Sequence, residues 1–117
     1  MYRPTILADM PNHAKAMTHE PFGPLALVQP VDEIDQALAR ANALSYGLAG
    51  YAFTGSAATV NRIAEELAVG TIGINQMVVT IPETPFGGIG DSGWGREGGI
   101  EGLEAYTVKK YVGHLQI

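Results

Sequence analysis

The sequence predicts an α/β fold built around parallel strands. Three short apolar runs alternate with two helical patterns, and the connections between them are short, which is typical of parallel strands joined by right-handed crossovers. At 117 residues the chain suffices for one small domain, and two independent domains are not expected. The segment from residue 25 to residue 75 is therefore predicted to form a strand, helix, strand, helix, strand unit.

The first half of this unit is a strand followed by an amphipathic helix. Residues 25–30, LALVQP, form a short apolar run that ends at a proline, as a buried strand often does. From Asp32, a residue type suited to the N-cap, apolar residues recur at helical spacing as far as Leu44. Gly47 is expected to follow the helix, where a left-handed residue is often needed.

The second half repeats this order. Residues 48–54 give a second strand, and Ser56 is suited to cap a second helix whose apolar stripe ends at Gly70. Residues 71–75, TIGIN, give the third strand. After Asn75 the pattern changes to a proline-containing loop and a glycine-rich stretch, and such long irregular segments are usually functional or disordered.

The end of the chain has the composition of an exposed or edge strand. Residues 105–113 carry β-branched and aromatic side chains among lysines. Charged residues make up 16% of the whole chain and apolar residues 46%, whereas a typical soluble domain is about a quarter charged. We therefore expect part of the exterior to contact other protein.

Charge and residue usage exclude several classes of function. The net charge of −5 provides no basic surface for nucleic acid. No apolar run approaches the roughly 20 residues of a membrane span, and the first residues lack the order of a secretory signal. We therefore expect a soluble, cytoplasmic protein without nucleic acid or membrane partners. No cysteine is present, and His13, His19 and His114 are too dispersed to predict a metal site.

The pattern G-x-G-x-x-G occurs twice, from Gly88 to Gly93 and from Gly93 to Gly98. A dinucleotide site requires a strand directly before this pattern and a helix directly after it. Here a proline-containing loop precedes the glycines, which favours a structural turn over a phosphate-binding loop. Arg96 and Glu97 are compatible with an ion pair inside this turn.

The order of several short motifs along the chain is more specific than any one of them. They are Pro4-Thr5-Ile6-Leu7, Glu20-Pro21-Phe22-Gly23-Pro24, Ala41-Asn42 with Tyr46-Gly47-Leu48-Ala49, Gly70 with Asn75, and Pro85 through Glu97. In this order they resemble the C-terminal portion of the NAD(P)-dependent aldehyde dehydrogenases, and the resemblance runs from about Tyr2 to Val112. It implies that residues 1–104 form the C-terminal part of the catalytic domain and that residues 105–117 form an oligomerisation strand and tail.

The resemblance also implies roles for five side chains. Glu20 takes the position of a glutamate that binds ribose hydroxyls on the nicotinamide side of NAD or NADP, and Phe22 that of a phenylalanine near the nicotinamide. Phe86 takes the position of a residue that lines the aldehyde tunnel, with Asn75 near the same mouth. Thr80 stands where succinate-semialdehyde dehydrogenases place a serine that helps to hold the distal carboxylate of the substrate, and a threonine hydroxyl forms the same kind of hydrogen bond. From the residues alone, a solvated loop glutamate and a core aromatic remain alternatives for Glu20 and Phe22.

The chain lacks the residue type with which the family's reaction begins. A cysteine thiolate attacks the aldehyde in these enzymes, and this chain has no cysteine. We therefore expect no catalytic residue here and no activity of the chain alone. Its partners are expected to be the remainder of the subunit, an aldehyde such as a semialdehyde, and further copies joined through residues 105–113. The alternatives are an interaction module that docks onto full-length subunits through its last strand, and a self-sufficient nucleotide-binding domain that uses the glycine repeats.

Overall fold

Parallel strand pairs organise both halves of the chain. The computed structural model describes residues 1–117, and these divide into two compact units, Met1–Leu44 and Ser45–Ile117. Each unit contains one parallel pair. The α/β class with parallel strands is therefore confirmed, and the pairing adds a strand that the sequence pattern did not indicate.

The first unit is built on strands β1, Thr5–Ala8, and β2, Leu25–Val28. They run parallel, with Thr5 opposite Leu25 and Ala8 opposite Val28. Half-buried and exposed residues alternate along both strands, which is the period of a sheet with one covered face. Helix α1, Lys15–Thr18, lies in the connection between them. The predicted strand over residues 25–30 thus forms, but its partner is β1.

Helix α2, Ile34–Ala41, completes the first unit and buries Leu38. The predicted cap at Asp32 is wrong: Glu33 holds the N-cap position and no side chain caps the helix. The Asp32 backbone amide instead donates to Gln36 Oε1 at 3.5 Å. The helix also ends six residues before Gly47: the Asn42 amide makes the last helical bond, to the Leu38 carbonyl, and the Ala43 amide bonds the nearer Arg40 carbonyl instead.

The second unit begins with β3, Tyr46–Gly47, and a parallel pair formed by β4, Ala49–Ala52, and β5, Thr71–Ile74. Helix α3, Ala57–Glu66, crosses between the paired strands and buries Ile63. The predicted cap of this helix is confirmed, because Ser56 Oγ accepts a hydrogen bond from the Thr59 amide at 3.3 Å. Gly47 belongs to β3, where a side chain would overlap the carbonyl of Ala68.

The rest of the second unit is mostly irregular. Strand β6, Ile89–Gly90, pairs antiparallel with β3, and a 3₁₀ helix covers Glu101–Tyr106. Residues 107–117 form no helix or strand. An edge strand inside the chain at residues 105–113 is therefore not formed, since nothing within the chain pairs with this segment. A strand that pairs with a second subunit, and a boundary between residues 104 and 105, stay predictions.

Little apolar surface is covered within the chain. Leu38 and Ile63 are the only buried large apolar residues, at 6% and 7% exposure. The accessible surface is 9394 Å², whereas a compact monomer of 12.4 kDa exposes about 6,100 Å². This excess agrees with the low proportion of charged residues and with the expectation that other protein covers part of the chain. The longest helix, α3, has 10 residues, and none of the helices could span a bilayer.

Candidate functional site

Glu20 and Phe22 lie on an exposed loop of the first unit, between α1 and β2. Two successive three-residue turns shape this loop: the Gly23 amide donates to the Pro21 carbonyl at 3.1 Å, and the Leu25 amide donates to the Gly23 carbonyl at 2.8 Å. Phe22 is the central residue of the first turn and is 95% exposed. The Glu20 carboxylate has no partner within the chain. An aromatic face and a carboxylate are thus both available to a ligand.

Phe86 lies in a glycine-rich hairpin of the second unit, where its backbone pairs with that of Glu97. The Phe86 amide donates to the Glu97 carbonyl at 2.7 Å, and the Glu97 amide donates back at 2.8 Å. Arg96 Nη1 donates to the carbonyls of Gly88 and Gly95 at 2.9 and 2.7 Å. Arg96 therefore closes the hairpin through carbonyl groups, and the ion pair with Glu97 considered from the sequence does not form. The spacing of Arg96 from the glycines in the sequence did not predict these hydrogen bonds to carbonyl groups.

Close backbone contact joins the hairpin to the start of β5. A side chain at Gly70 would overlap the carbonyl oxygen of Gly87, so only glycine fits at this position. The Gly70 amide also donates to the Gly47 carbonyl at 3.0 Å. The hairpin that carries Phe86 is therefore seated directly on the strand backbone.

Polar residues of the hairpin are used to hold its shape. Ser45 Oγ donates to Asp91 Oδ2, and the Asp91 amide donates to the Ser45 carbonyl at 3.0 Å. The Gly47 amide donates to Ser92 Oγ at 2.9 Å. The segment contains turns and the antiparallel strand β6, and only the short 3₁₀ helix Glu101–Tyr106 follows the second glycine pattern; no α-helix begins after either pattern. This geometry agrees with the structural turn favoured above and gives no support to a self-sufficient phosphate-binding loop.

An open cavity of about 300 Å³ lies against the hairpin. Its walls are mainly glycine backbone together with Phe86, Trp94 and Arg96. The Trp94 side chain is fully exposed, at 100%. Small-molecule sites occupy roughly 300 to 1,000 Å³, so this cavity is at the lower end of that range.

The segment from residue 76 to residue 85 connects β5 to this hairpin. Asn75, the residue before it, uses its side-chain amide in two hydrogen bonds to the backbone of Thr54. Thr80 is exposed, and its hydroxyl has no partner within the chain. A second cavity, of about 310 Å³, lies between this segment and the start of β5. The hydroxyl of Thr71 on its wall is buried without a hydrogen-bond partner.

The structure thus groups three of the five predicted site residues in one unit. Asn75, Thr80 and Phe86 lie along one continuous segment of the second unit, whereas Glu20 and Phe22 share a loop of the first unit. Sequence reasoning missed the hydrogen bonds of Asn75 and Arg96. No local sequence pattern predicts these bonds, since the partners are backbone groups that only folding brings close.

The family model of the aldehyde dehydrogenase family matches residues 1–112. The chain belongs to the aldehyde dehydrogenase family. It is 50% identical over 112 residues to the 4-(hydroxymethyl)benzenesulfonate dehydrogenase TsaD1 of Comamonas testosteroni, a match that covers 96% of this chain and 24% of that protein. It is 42% identical to the succinate-semialdehyde dehydrogenase of Paenarthrobacter nicotinovorans, with 96% of this chain and 25% of that protein covered.

Solved structures, aldehyde dehydrogenases among them, contain the same fold. A betaine aldehyde dehydrogenase of Staphylococcus aureus in complex with NAD⁺ superposes with a TM-score of 0.87 at 36% identity, covering 93% of this chain and 22% of that one. An NADP-dependent enzyme of E. coli superposes with a TM-score of 0.81 at 44% identity, covering 90% and 22%. This aldehyde dehydrogenase family chain spans about a quarter of the length of the curated relatives it matches.

Proposed function

We propose that this chain forms part of the cofactor and substrate cavity of an NAD(P)-dependent aldehyde dehydrogenase, which oxidises an aldehyde to a carboxylic acid. The observation that carries the proposal is the family match over residues 1–112 of 117. The chain has no cysteine, so the nucleophile comes from the remainder of the subunit. Without that remainder, the chain is inactive.

The exposed loop of the first unit is the proposed cofactor contact. Two vicinal ribose hydroxyls donate hydrogen bonds, and the two oxygens of the unpaired Glu20 carboxylate are suitable acceptors. The exposed face of Phe22 provides apolar surface for a nicotinamide ring. The bound NAD⁺ of the Staphylococcus enzyme and the NADP dependence of the E. coli enzyme support a nicotinamide cofactor, which supplies the hydride acceptor.

The second unit is the proposed wall of the aldehyde tunnel. Phe86 lines the cavity beside the hairpin, and the free hydroxyl of Thr80 lies on the segment that connects β5 to this hairpin. Residues 76–95 contain no lysine or arginine, and Arg96 is engaged by carbonyl groups. The Comamonas and Paenarthrobacter relatives are named for compounds with a sulfonate and a carboxylate. We therefore assign to Thr80 a hydrogen bond to an anionic group of the substrate, distant from its aldehyde.

A chimaeric subunit tests the proposal. In it, residues 1–112 of this chain replace the matching segment of the Paenarthrobacter succinate-semialdehyde dehydrogenase, and NAD(P)H formation is followed with a sulfonated aromatic aldehyde, succinate semialdehyde and an uncharged aldehyde. We expect turnover, with the charged aldehydes preferred. The 117-residue chain alone, given the same reagents, is the matched control and should remain at the blank. A folded chimaeric subunit without turnover, or turnover by the chain alone, contradicts the proposal.

The last residues of the chain favour a second candidate function, that of a docking module. Residues 107–117 have no partner strand within the chain, and Val108 and Tyr111 are 95% and 94% exposed. A segment with these properties pairs readily with a sheet edge of another chain. Co-purification of the chain with an intact family member, followed by light scattering, tests this function. A strictly monomeric chain that does not bind the intact enzyme rules it out.

A further inference from the structure

We infer that Asn75 is a positioning residue, whose side chain clamps Thr54 and thereby fixes the direction in which the substrate-facing segment 76–85 leaves β5. Asn75 Nδ2 donates to the Thr54 carbonyl at 2.9 Å, and Asn75 Oδ1 accepts from the Thr54 amide at 2.9 Å. Its own backbone amide donates to the Ala52 carbonyl at 2.8 Å. The inference rests on the proposed function, since it names a further determinant of the same tunnel.

The side chain extends the sheet at the point where the backbone turns away from it. Asn75 has φ of 55°, a left-handed conformation in which asparagine is several-fold enriched among non-glycine residues. Its amide presents a donor and an acceptor together. It therefore replaces the two backbone hydrogen bonds that Thr54 would have formed, with the Asn75 carbonyl and the Met77 amide, if the parallel pairing had continued. Aspartate at this position lacks the donor, and glycine lacks both groups.

Asp9 provides a comparison within the same chain. It follows β1 as Asn75 follows β5, it has φ of 53°, and its amide donates to the Val28 carbonyl at 3.2 Å. The Asp9 side chain, however, has no partner. A left-handed residue at the end of a parallel strand therefore does not require a side-chain clamp. The clamp at Asn75 instead serves the segment that follows it.

The position of segment 76–85 is fixed by contacts at its two ends. At its far end the Gly99 amide donates to the Pro82 carbonyl at 2.9 Å, and Phe86 pairs with Glu97. Between these anchors, Val78 and Thr80 are exposed, and the Thr80 hydroxyl is free. The Asn75 clamp and the hairpin thus fix the position of Thr80. Displacement of a positioning group by about 1 Å can cost on the order of 100-fold in rate.

The test uses the chimaeric subunit with Asn75→Gly, Asn75→Asp and the control Asp9→Gly. Asn75→Gly keeps the left-handed backbone accessible and removes both side-chain bonds, so we expect the KM for a charged aldehyde to rise about tenfold while the KM for the cofactor stays within about twofold. Asn75→Asp should be intermediate, and Asp9→Gly should change neither constant. Adding Thr80→Val should raise the aldehyde KM in the parent but not in the Asn75→Gly background, because the hydroxyl is already misplaced there.

Two results overturn the inference: equal changes in both KM values, or additive effects of Asn75→Gly and Thr80→Val. Hydrogen exchange at residues 76–85 shows whether the inference about Asn75 has failed or whether the proposed function has failed. If the folded parent subunit has no aldehyde activity, the proposed function fails, but faster exchange of these amides in Asn75→Gly than in Asp9→Gly still supports the clamp. Unchanged exchange in Asn75→Gly rejects it.

Discussion

The backbones of Phe86 and Glu97 are joined by two hydrogen bonds, with N···O distances of 2.7 and 2.8 Å. This antiparallel pair closes the hairpin whose wall lines the 300 Å³ cavity. Because the hairpin is rich in glycine, its backbone has unusual conformational freedom when unfolded. The pair therefore fixes Phe86 at a place where side-chain packing contributes little.

Glu97→Pro should open this hairpin, because proline has no amide hydrogen to donate to Phe86. We expect the free energy of unfolding of the chimaeric subunit to fall by about 2 kcal/mol, measured as a lower thermal midpoint, together with a higher KM for the aldehyde. Glu97→Ala is the matched control, since the Glu97 side chain has no partner. Equal midpoints for the proline and alanine variants would show that the pair is dispensable.

Gly70→Ala should displace the hairpin from β5. The added methyl group meets the carbonyl oxygen of Gly87, a backbone atom that cannot rotate away. We expect a loss of about 1 to 3 kcal/mol, the usual range for overpacking, seen as a lower thermal midpoint of the chimaeric subunit. Gly55→Ala is the control, because nothing lies within 4 Å of its added methyl group. The prediction fails if both alanine variants unfold at the parent midpoint.

Ser56→Ala should weaken the start of α3. The substitution removes the acceptor of the Thr59 amide, and loss of such a cap costs about 1 kcal/mol. Hydrogen exchange of the Thr59 amide should accelerate about fivefold, which corresponds to that energy. Ser56→Asp keeps an acceptor and should exchange like the parent. If the Thr59 amide exchanges in Ser56→Ala at the same rate as in the parent, the Ser56 hydroxyl does not have this role.

Local signals predicted the elements that depend on near neighbours. The Ser56 cap and α3 followed from residues within one helical turn, and β5 followed from a short apolar run between a glycine and an asparagine. The strand pairing of β2 was not predictable, because its partner β1 lies about twenty residues earlier and has only four residues. The N-cap predicted at Asp32 was wrong because Gln36, in the first turn of the helix, bonds the Asp32 backbone amide through its side chain.

The candidate site shows the same division. Glu20, Phe22 and Phe86 were predicted as site residues from motif order, which does not depend on knowing any contact. The roles of Asn75 and Arg96 required the folded backbone, since their partners are the backbone of Thr54 and the carbonyls of Gly88 and Gly95. When a side chain bonds to main-chain atoms, its partner can be any residue type, so the sequence does not identify the partner.

Val108→Pro should disturb assembly if residues 105–113 pair with a neighbouring subunit. Proline removes one donor from the strand edge, whereas the control Val108→Ala keeps the backbone intact. In sedimentation experiments on the chimaeric subunit, we expect the proline variant to dissociate at concentrations where the alanine variant remains assembled. Identical sedimentation of the two variants contradicts pairing through this segment.

Glu20→Gln should weaken cofactor binding selectively. Glutamine has nearly the same shape but no charge, and hydrogen bonds to a charged acceptor are about twice as strong as neutral ones. In the chimaeric subunit we expect the KM for the nicotinamide cofactor to rise about fivefold, which is about 1 kcal/mol, while the KM for the aldehyde at saturating cofactor changes little. The matched control is Glu65→Gln, an exposed glutamate of α3 whose side chain has no partner. If Glu20→Gln and Glu65→Gln have the same cofactor KM, Glu20 does not contact the ribose.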